Sequence, residues 1–173
     1  MDRRSSRRRL LAGAAAWWAV PAAGDDDAPR AGDRLAAEPG TPTLRSDMLA
    51  TGAAPRLVWA VDPATGRARQ GSPRHRILLI RLDPAAMDAA TRARSADGVL
   101  AYSAVCTHGD CAVRDWRPRQ QLLHCPCHFS HFDPLRGAAV VSGPAPRPLP
   151  HLGLREEDGV LVLAGGFSER PGA

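Results

Sequence analysis

The chain has 173 residues and no lysine; all 23 of its basic side chains are arginine. That absence removes a phosphate-loop lysine, a Schiff-base lysine and a lysine general base. Aromatic residues are scarce, at 5%, with a single tyrosine. The dinucleotide glycine fingerprint, the GxSxG elbow and the HExxH motif are all missing, as are internal repeats and heptads. The sequence therefore does not advertise a nucleotide enzyme or a hydrolase. Its longest mostly apolar stretch, 10–23, is about fourteen residues, short of the roughly twenty that span a bilayer. The net charge of +5 is also uneven, since Arg3, Arg4, Arg7, Arg8 and Arg9 crowd the start. Beyond residue 24, 18 arginines face 17 acids. No basic face for nucleic acid is implied, and the length suits one domain with appendages.

Residues 1–24 read as an address: a basic opening, an apolar stretch, then small residues that place a cleavage after Ala22 or Gly24. Within it "SRRRLLA" resembles a twin-arginine export signal with Arg7 and Arg8 as the pair. An ordinary secretory signal and a retained short anchor, with Trp17 and Trp18 at the membrane interface, are the other readings. A twin-arginine route carries folded cargo, which suits a protein whose cofactor is inserted before export. The expected location is the periplasm, free or tethered to the inner membrane.

Residues 25–46 are rich in Ala, Pro, Gly and Asp and predict a tether that gives way to an edge strand near 34–37. Short β-favouring runs follow at 56–61, 75–82, 98–105, 121–125, 151–156 and 159–165, separated by turn signals such as "DPATG", "ADG" and "EDG". That rhythm predicts an all-β sandwich or barrel. One helix is expected over 84–94, capped by Asp83 with Pro84 in its first turn.

All four cysteines lie in 106–127, in two short loops: "CTHGDC" with Cys106, His108 and Cys111, and "CPCH" with Cys125, Cys127 and His128. Two structural disulfides suit an exported protein but leave the regularly placed histidines unexplained. A Cys₂His₂ zinc site uses the same ligand types, yet its usual spacing pairs Cys with Cys, and two cysteines would be left over. The third reading is a binuclear iron–sulfur centre.

The pattern Cys106-x-His108 … Cys125-x-x-His128, with Cys111 and Cys127 inserted, resembles the exported, disulfide-bearing branch of the Rieske iron–sulfur family. The resemblance covers roughly residues 30–168 and is most specific over 104–150. It implies an antiparallel β-sandwich or barrel with a small cluster-binding subdomain of two loops. The domain would occupy 47–168, with a start as early as 30, and 169–173 would be a tail. It implies one [2Fe-2S] cluster, with Cys106 and Cys125 on one iron, His108 and His128 on the other, and a Cys111–Cys127 disulfide tying the loops together. Two ferric ions, two sulfides and two thiolates sum to zero charge, so the reduced state is easily reached. Potentials of such centres run from about −150 to +300 mV.

The same resemblance gives roles to three more residues. In quinol-oxidising relatives the second loop reads Cys-Pro-Cys-His-Gly-Ser-x-Tyr, and the serine and tyrosine hydroxyls donate to cluster sulfurs and raise the potential. Here Ser130 is present, but Phe132 has no hydroxyl and Phe129 replaces the glycine. Gly109 stands where those relatives have leucine, and Asp110 places an acid beside the cluster. A potential below that of quinol oxidisers and above that of dioxygenase ferredoxins is expected. The loop 142–150, "SGPAPRPLP", matches the proline-rich loop that covers the cluster in the family.

The function implied is a one-electron carrier subunit, not a catalyst by itself. The stretch "CPCHFSHFDP" resembles the small Rieske subunits of periplasmic molybdenum oxidoreductases of the arsenite-oxidase kind, and related bacterial Rieske proteins of unassigned partner. A subunit of a cytochrome bc1-type complex is the alternative. Candidate partners are a molybdenum-enzyme large subunit, a cytochrome b or c, a soluble cytochrome c, or quinol. A Rieske oxygenase would need a further iron domain, and the residues after His128 are too few to build one. His75, His124, His131 and His151 read as solvated or packing residues.

Overall fold

The run "ILLIR" is apolar at consecutive positions, which a strand tolerates only when both of its faces are buried. The computed structural model, which describes residues 27–173, shows how that happens. Among the described residues eleven strands form two antiparallel sheets. The first contains β1 (Arg34–Ala36), β2 (Arg56–Val61), β3 (Ile77–Arg81), β4 (Val99–Ser103), β9 (His151–Leu152), β10 (Leu154–Glu157) and β11 (Val160–Leu163), in the order β10-β11-β1-β2-β3-β4-β9. The second contains β5 (Asp115–Arg117), β6 (Leu122–His124), β7 (His131–Asp133) and β8 (Ala139–Ser142), in sequence order.

The ends of the seven-stranded order, β10 and β9, are neighbours in the chain. They meet at Gly153, so the segment 151–157 pairs with β4 by its first half and with β11 by its second. The sheet thereby closes on itself as a barrel. A single strand was expected over 151–156; the break at Gly153 converts it into the closure. Ala164 lies so near that a Cβ at 153 would approach its own Cβ to 3.3 Å.

Alternation along β3 and β4 builds two cores. Ile77, Leu79, Val99 and Ala101 point into the barrel with Leu35, Val58, Leu161 and Leu163. Leu78, Ile80, Leu100 and Tyr102 point the other way, into a second core shared with Val113, Leu123, Phe132 and Leu149. Each such side chain contributes about 1.5–3 kcal/mol on burial. The second core holds the small sheet against the barrel. Tyr102 reaches across it to donate from its hydroxyl to the carbonyl of Pro134 at 2.7 Å, and burial pushes that hydroxyl's pKa up to about 12.

Three expectations are corrected. The strand near 34–37 is not an edge: β1 lies between β11 and β2, because barrel closure supplies both neighbours. Residues 27–46 are not a hanging tether either. Asp33, 2% exposed at its side chain, pairs with Arg69, 5% exposed, at 2.5 Å, and removing either partner of so buried a pair costs about 3–5 kcal/mol. The helix expected over 84–94 is two pieces, a 3₁₀ turn Pro84–Ala86 and α1 (Ala89–Ala93). Each has its own cap, Asp83 to the Ala85 amide and Asp88 to the Thr91 amide; the second cap restarts the turn that the first began. The signal residues Arg7, Arg8, Trp17 and Trp18 lie outside the described residues. Among those described, no helix is long and apolar enough to cross a membrane.

Candidate metal centre

Two loops at one end of the small sheet hold the cysteines and histidines, and they are the same turn used twice. In the first, the Cys106 amide donates to the Cys111 carbonyl at 2.8 Å and the Asp110 amide returns to the Cys106 carbonyl at 3.2 Å. In the second, the Cys125 amide donates to the Ser130 carbonyl at 2.9 Å and the Phe129 amide to the Cys125 carbonyl at 3.1 Å. Each turn puts its fifth residue in the left-handed region, Asp110 at φ 58° and Phe129 at φ 60°. The first loop hangs from the end of β4 through the pairing of Ala104 with Val113, and the second connects β6 to β7.

The repetition faces one cysteine of each loop inward. Cys106 and Cys125 are both free thiols and 1% exposed, and Cys125 lies in hydrogen-bonding contact with Cys106. Burial pushes the Cys106 thiol up, and Cys125 adds to that rise. The His108 and Gly109 amides, which donate to the sulfur, pull the other way. Those amides are directed at a sulfur that would carry negative charge once bound to metal. The outer cysteines, Cys111 and Cys127, form the disulfide that the resemblance implied, joining the loops across 16 residues of sequence with a Cα–Cα distance of 6.4 Å. His108 and His128 are exposed, with rings edge-to-face at 83° and centroids 4.6 Å apart.

The donors thus fall into two pairs, buried sulfurs and exposed imidazoles. Among the described residues no three or more His, Cys, Asp or Glu side chains gather as they would around a single ion. A binuclear cluster asks instead for two donors at each iron. The donor set and its division fit a [2Fe-2S] group.

The expected tuning residues are placed as follows. Ser130 is fully buried, and its Oγ accepts from the Ala145 amide at 3.1 Å. Phe132 is fully buried in the apolar cluster that contains both free thiols. Asp110 faces Arg74 at 2.5 Å and accepts from the Ala173 amide at 2.9 Å. Arg74 first, and that amide second, hold its carboxyl below the usual range. Its negative charge therefore does not stand alone beside the site, as the sequence reading had assumed. The proline-rich loop bridges both turns. Ala145 bonds to Ser130, while the Thr107 hydroxyl donates to the Arg147 carbonyl at 2.7 Å.

Residues 169–173, expected as a tail, are a strap. The Arg147 guanidinium donates to the carbonyls of Arg170 and Gly172 at 2.8 and 2.7 Å, and the strap ends on Asp110. Arg74, Thr107 and Arg147 were missed by sequence reasoning, because nothing local marks an arginine 36 residues away from the acid it neutralises. His124 and His131 are packed, as expected, but against each other: Nδ1 of His124 lies 3.1 Å from Nε2 of His131, whose Nδ1 lies 3.0 Å from Ser142 Oγ. Burial, with Arg117 next, holds His124 below the usual imidazole range.

Comparison with known proteins gives the geometry a family. The Rieske [2Fe-2S] domain family matches residues 75–153. A Haloferax mediterranei protein, provisionally named a respiratory nitrate reductase subunit Rieske, is 41% identical over 102 residues, 58% of this chain and 46% of that one. The cytochrome bc1 complex Rieske iron-sulfur subunit of Streptomyces lividans is 38% identical over 98 residues, 56% of this chain and 58% of that one. The chain thus spans about half the length of these two relatives. A chain from the complex of reduced oxygenase and oxidized ferredoxin in carbazole 1,9a-dioxygenase shares the fold, at 18% identity and a TM-score of 0.50, covering 72% of this chain and 92% of that one. Over residues 75–153 the chain thus matches the Rieske [2Fe-2S] domain family, and a domain of that kind implies one [2Fe-2S] cluster.

Proposed function

We propose that the chain is the one-electron carrier subunit of a periplasmic oxidoreductase. Cys106 and Cys125 would hold one iron, and His108 and His128 the other. The observation that carries this reading is the doubled turn, with two facing buried thiols beneath two adjacent exposed imidazoles. When bound, the cluster supplies reversible one-electron transfer. The chain's own residues do the rest. Burial in the second core keeps the two sulfurs dry, while the two imidazoles stay at the surface, where a partner can approach. Ser130, held by the Ala145 amide, has its hydroxyl proton free to donate toward a sulfur. The Cys111–Cys127 bridge and the proline-rich loop fix the two turns against each other.

The missing hydroxyl at Phe132, together with Gly109 and Asp110 in the first loop, supports a partner of the molybdenum-enzyme kind over a quinol-oxidising complex. Similarity to the Streptomyces bc1 subunit supports the second reading, in which quinol is the donor. The twin-arginine pattern at Arg7–Arg8 supports export in folded, loaded form. The deciding experiment is pH-dependent voltammetry of the purified exported protein, with EPR on the reduced sample. A strongly anisotropic EPR signal and a midpoint that falls as pH rises through neutrality are expected. A midpoint near about −150 mV, the low end for such centres, would replace this role with a ferredoxin-like one. No EPR signal would refute it.

A further inference from the structure

The small sheet turns one face into the second core; on the other, His124 is buried against His131 and Phe129, His131 and Asp115 are half-buried, and Ser142 is exposed. Trp116, Leu123, Phe132 and Val140 turn inward to the second core. The opposite face carries a row across all four strands, Asp115, His124, His131 and Ser142, which pair in that order. The Phe129 ring, with its centroid 5.8 Å from that of His124, extends the row to the cluster end.

This face shows three things that stability does not explain. Phe129 is 66% exposed and sits at φ 60°, so it accepts backbone strain without burying its ring. Of the three large apolar side chains exposed among the described residues, Phe129 and Val141 both belong to this subdomain. Arg114, Arg117 and Arg119 on the β5–β6 hairpin are exposed and form no ion pair among the described residues, with only Asp115 beside them. A shallow concavity of about 290 Å³ lies between these features, lined by Arg117, Gln120, Leu122, His131 and Ser142. The other flank of the cluster end is different: Asp110 is paired with Arg74, and Glu169 with Arg147. One flank is neutralised; the outer face carries the exposed Phe129 ring at its cluster end and Arg117 and Arg119, outside any ion pair among the described residues, at the hairpin end of the same strands.

We propose that this outer face, from Phe129 to Arg117 and Arg119, is the docking surface for an acidic redox protein. The proposal rests on the electron-carrier reading and names the kind of partner. Phe129 is the apolar anchor next to His128, and the arginines steer the acidic face and set the register. In the exchange one electron would leave the reduced cluster, which returns to the diferric state, and a ferric haem of the partner would become ferrous; in the pH range where the midpoint falls, a proton is released to solvent with that electron, and no bond between heavy atoms changes.

The test measures binding of the cluster-loaded chain to two soluble c-type cytochromes, one acidic and one basic, at low and physiological salt. The acidic cytochrome is expected to bind at least about tenfold more tightly, with an affinity that falls steeply as salt rises. Arg117→Glu with Arg119→Glu should weaken binding about tenfold and flatten the salt dependence. Phe129→Ala should weaken it about threefold at every salt concentration, as loss of a modest apolar anchor does. The EPR spectrum should keep the parent's anisotropic line shape in all variants, which shows that the site is assembled. A second pair of reversals on exposed arginines elsewhere, Arg56→Glu with Arg92→Glu, makes the same change in net charge and should leave binding unchanged. Equal or tighter binding of the basic cytochrome, no effect of the hairpin reversals, or an equal effect of the remote pair would overturn the proposal. Absence of the EPR signal in the parent would instead overturn the electron-carrier reading beneath it.

Discussion

The two cluster loops share one backbone turn but are held in opposite ways. The first, 106–111, is clamped from outside by polar contacts. Arg74 and the Ala173 amide grip Asp110, the Thr107 hydroxyl reaches the Arg147 carbonyl, and Arg147 holds the C-terminal strap. The second, 125–130, is held by burial. Ser130 is sealed beneath Gly143 and Ala145 of the proline-rich loop. A polar clamp leaves its loop sensitive to charge and pH, whereas a buried contact leaves its loop sensitive to volume. The same turn therefore carries two different vulnerabilities.

The largest effect should come from cutting what the loops share. Cys111→Ser removes the only covalent tie, and a bridge closing 16 residues is worth about 3 kcal/mol on the chain-entropy model. Urea denaturation should report a loss of that size. Amide exchange should then separate the two loops, with Cys106 and Asp110 staying protected by their clamp while Cys125 and Phe129 exchange faster. Equal loosening of both loops would mean that the polar clamp adds nothing.

A volume change should strike one loop and spare the other. Gly143 sits at φ 91°, and a Cβ there would stand 2.5 Å from Ser130 Cα, a backbone atom that cannot swing aside. Gly143→Ala should cost about 1–3 kcal/mol through strain and overpacking and should disturb the EPR spectrum. Nothing lies within 4 Å of a Cβ at Gly109, so Gly109→Ala in the first loop should leave both stability and spectrum unchanged. Thermal melting of the two variants side by side checks the contrast.

These vulnerabilities divide along the same line as what could be read in the sequence. β2, β3, β4 and β11 were legible because their apolar runs are long enough to show a pattern. The spacing of Cys106, His108, Cys125 and His128 was legible because ligand types stand out chemically. β5, β7 and β8 were not, since "DWR", "HFD" and "AVVS" are too short for any period to emerge and are fixed by pairing with β6 and by the second core. Barrel closure at Gly153 was hidden for a related reason: it depends on two strands far apart in sequence sharing one segment. The contacts of Asp110 were invisible because Arg74 and Ala173 reach it only through the tertiary fold.

A smaller effect should test what the buried loop lacks. Phe132 lies in the apolar cluster that holds Cys106 and Cys125. A hydroxyl added by Phe132→Tyr must find an acceptor there or go unpaired, at about 1–3 kcal/mol. If it reaches a cysteine sulfur it stabilises the more negative reduced state, and the midpoint should rise while stability is kept. An unchanged midpoint together with a lower melting temperature would show that the ring points its far carbon elsewhere.

The smallest effect belongs to the polar clamp and has a definite pH sign. The Asp110 carboxyl is held below its unfolded value, chiefly by Arg74 and then by the Ala173 amide. Its contribution to stability is therefore fully present above the unfolded pKa of about 3.9 and is lost as pH falls through the lower folded value. Because the pair is partly exposed, at 33% and 42% for the two side chains, the contribution at neutral pH should be below about 1 kcal/mol. Asp110→Asn should accordingly melt slightly lower than the parent at pH 7, and the gap should close in strongly acidic solution; a gap that widens there would reverse the assignment. The midpoint potential gives an independent check of the ion pair. Asp110→Asn leaves Arg74 uncompensated beside the site and should raise the midpoint, Arg74→Gln leaves the carboxylate uncompensated and should lower it, and the double variant should return close to the parent. Shifts of the same sign in the two single variants would show that the loop had moved, since neutralising opposite charges in a fixed geometry cannot push the potential in one direction.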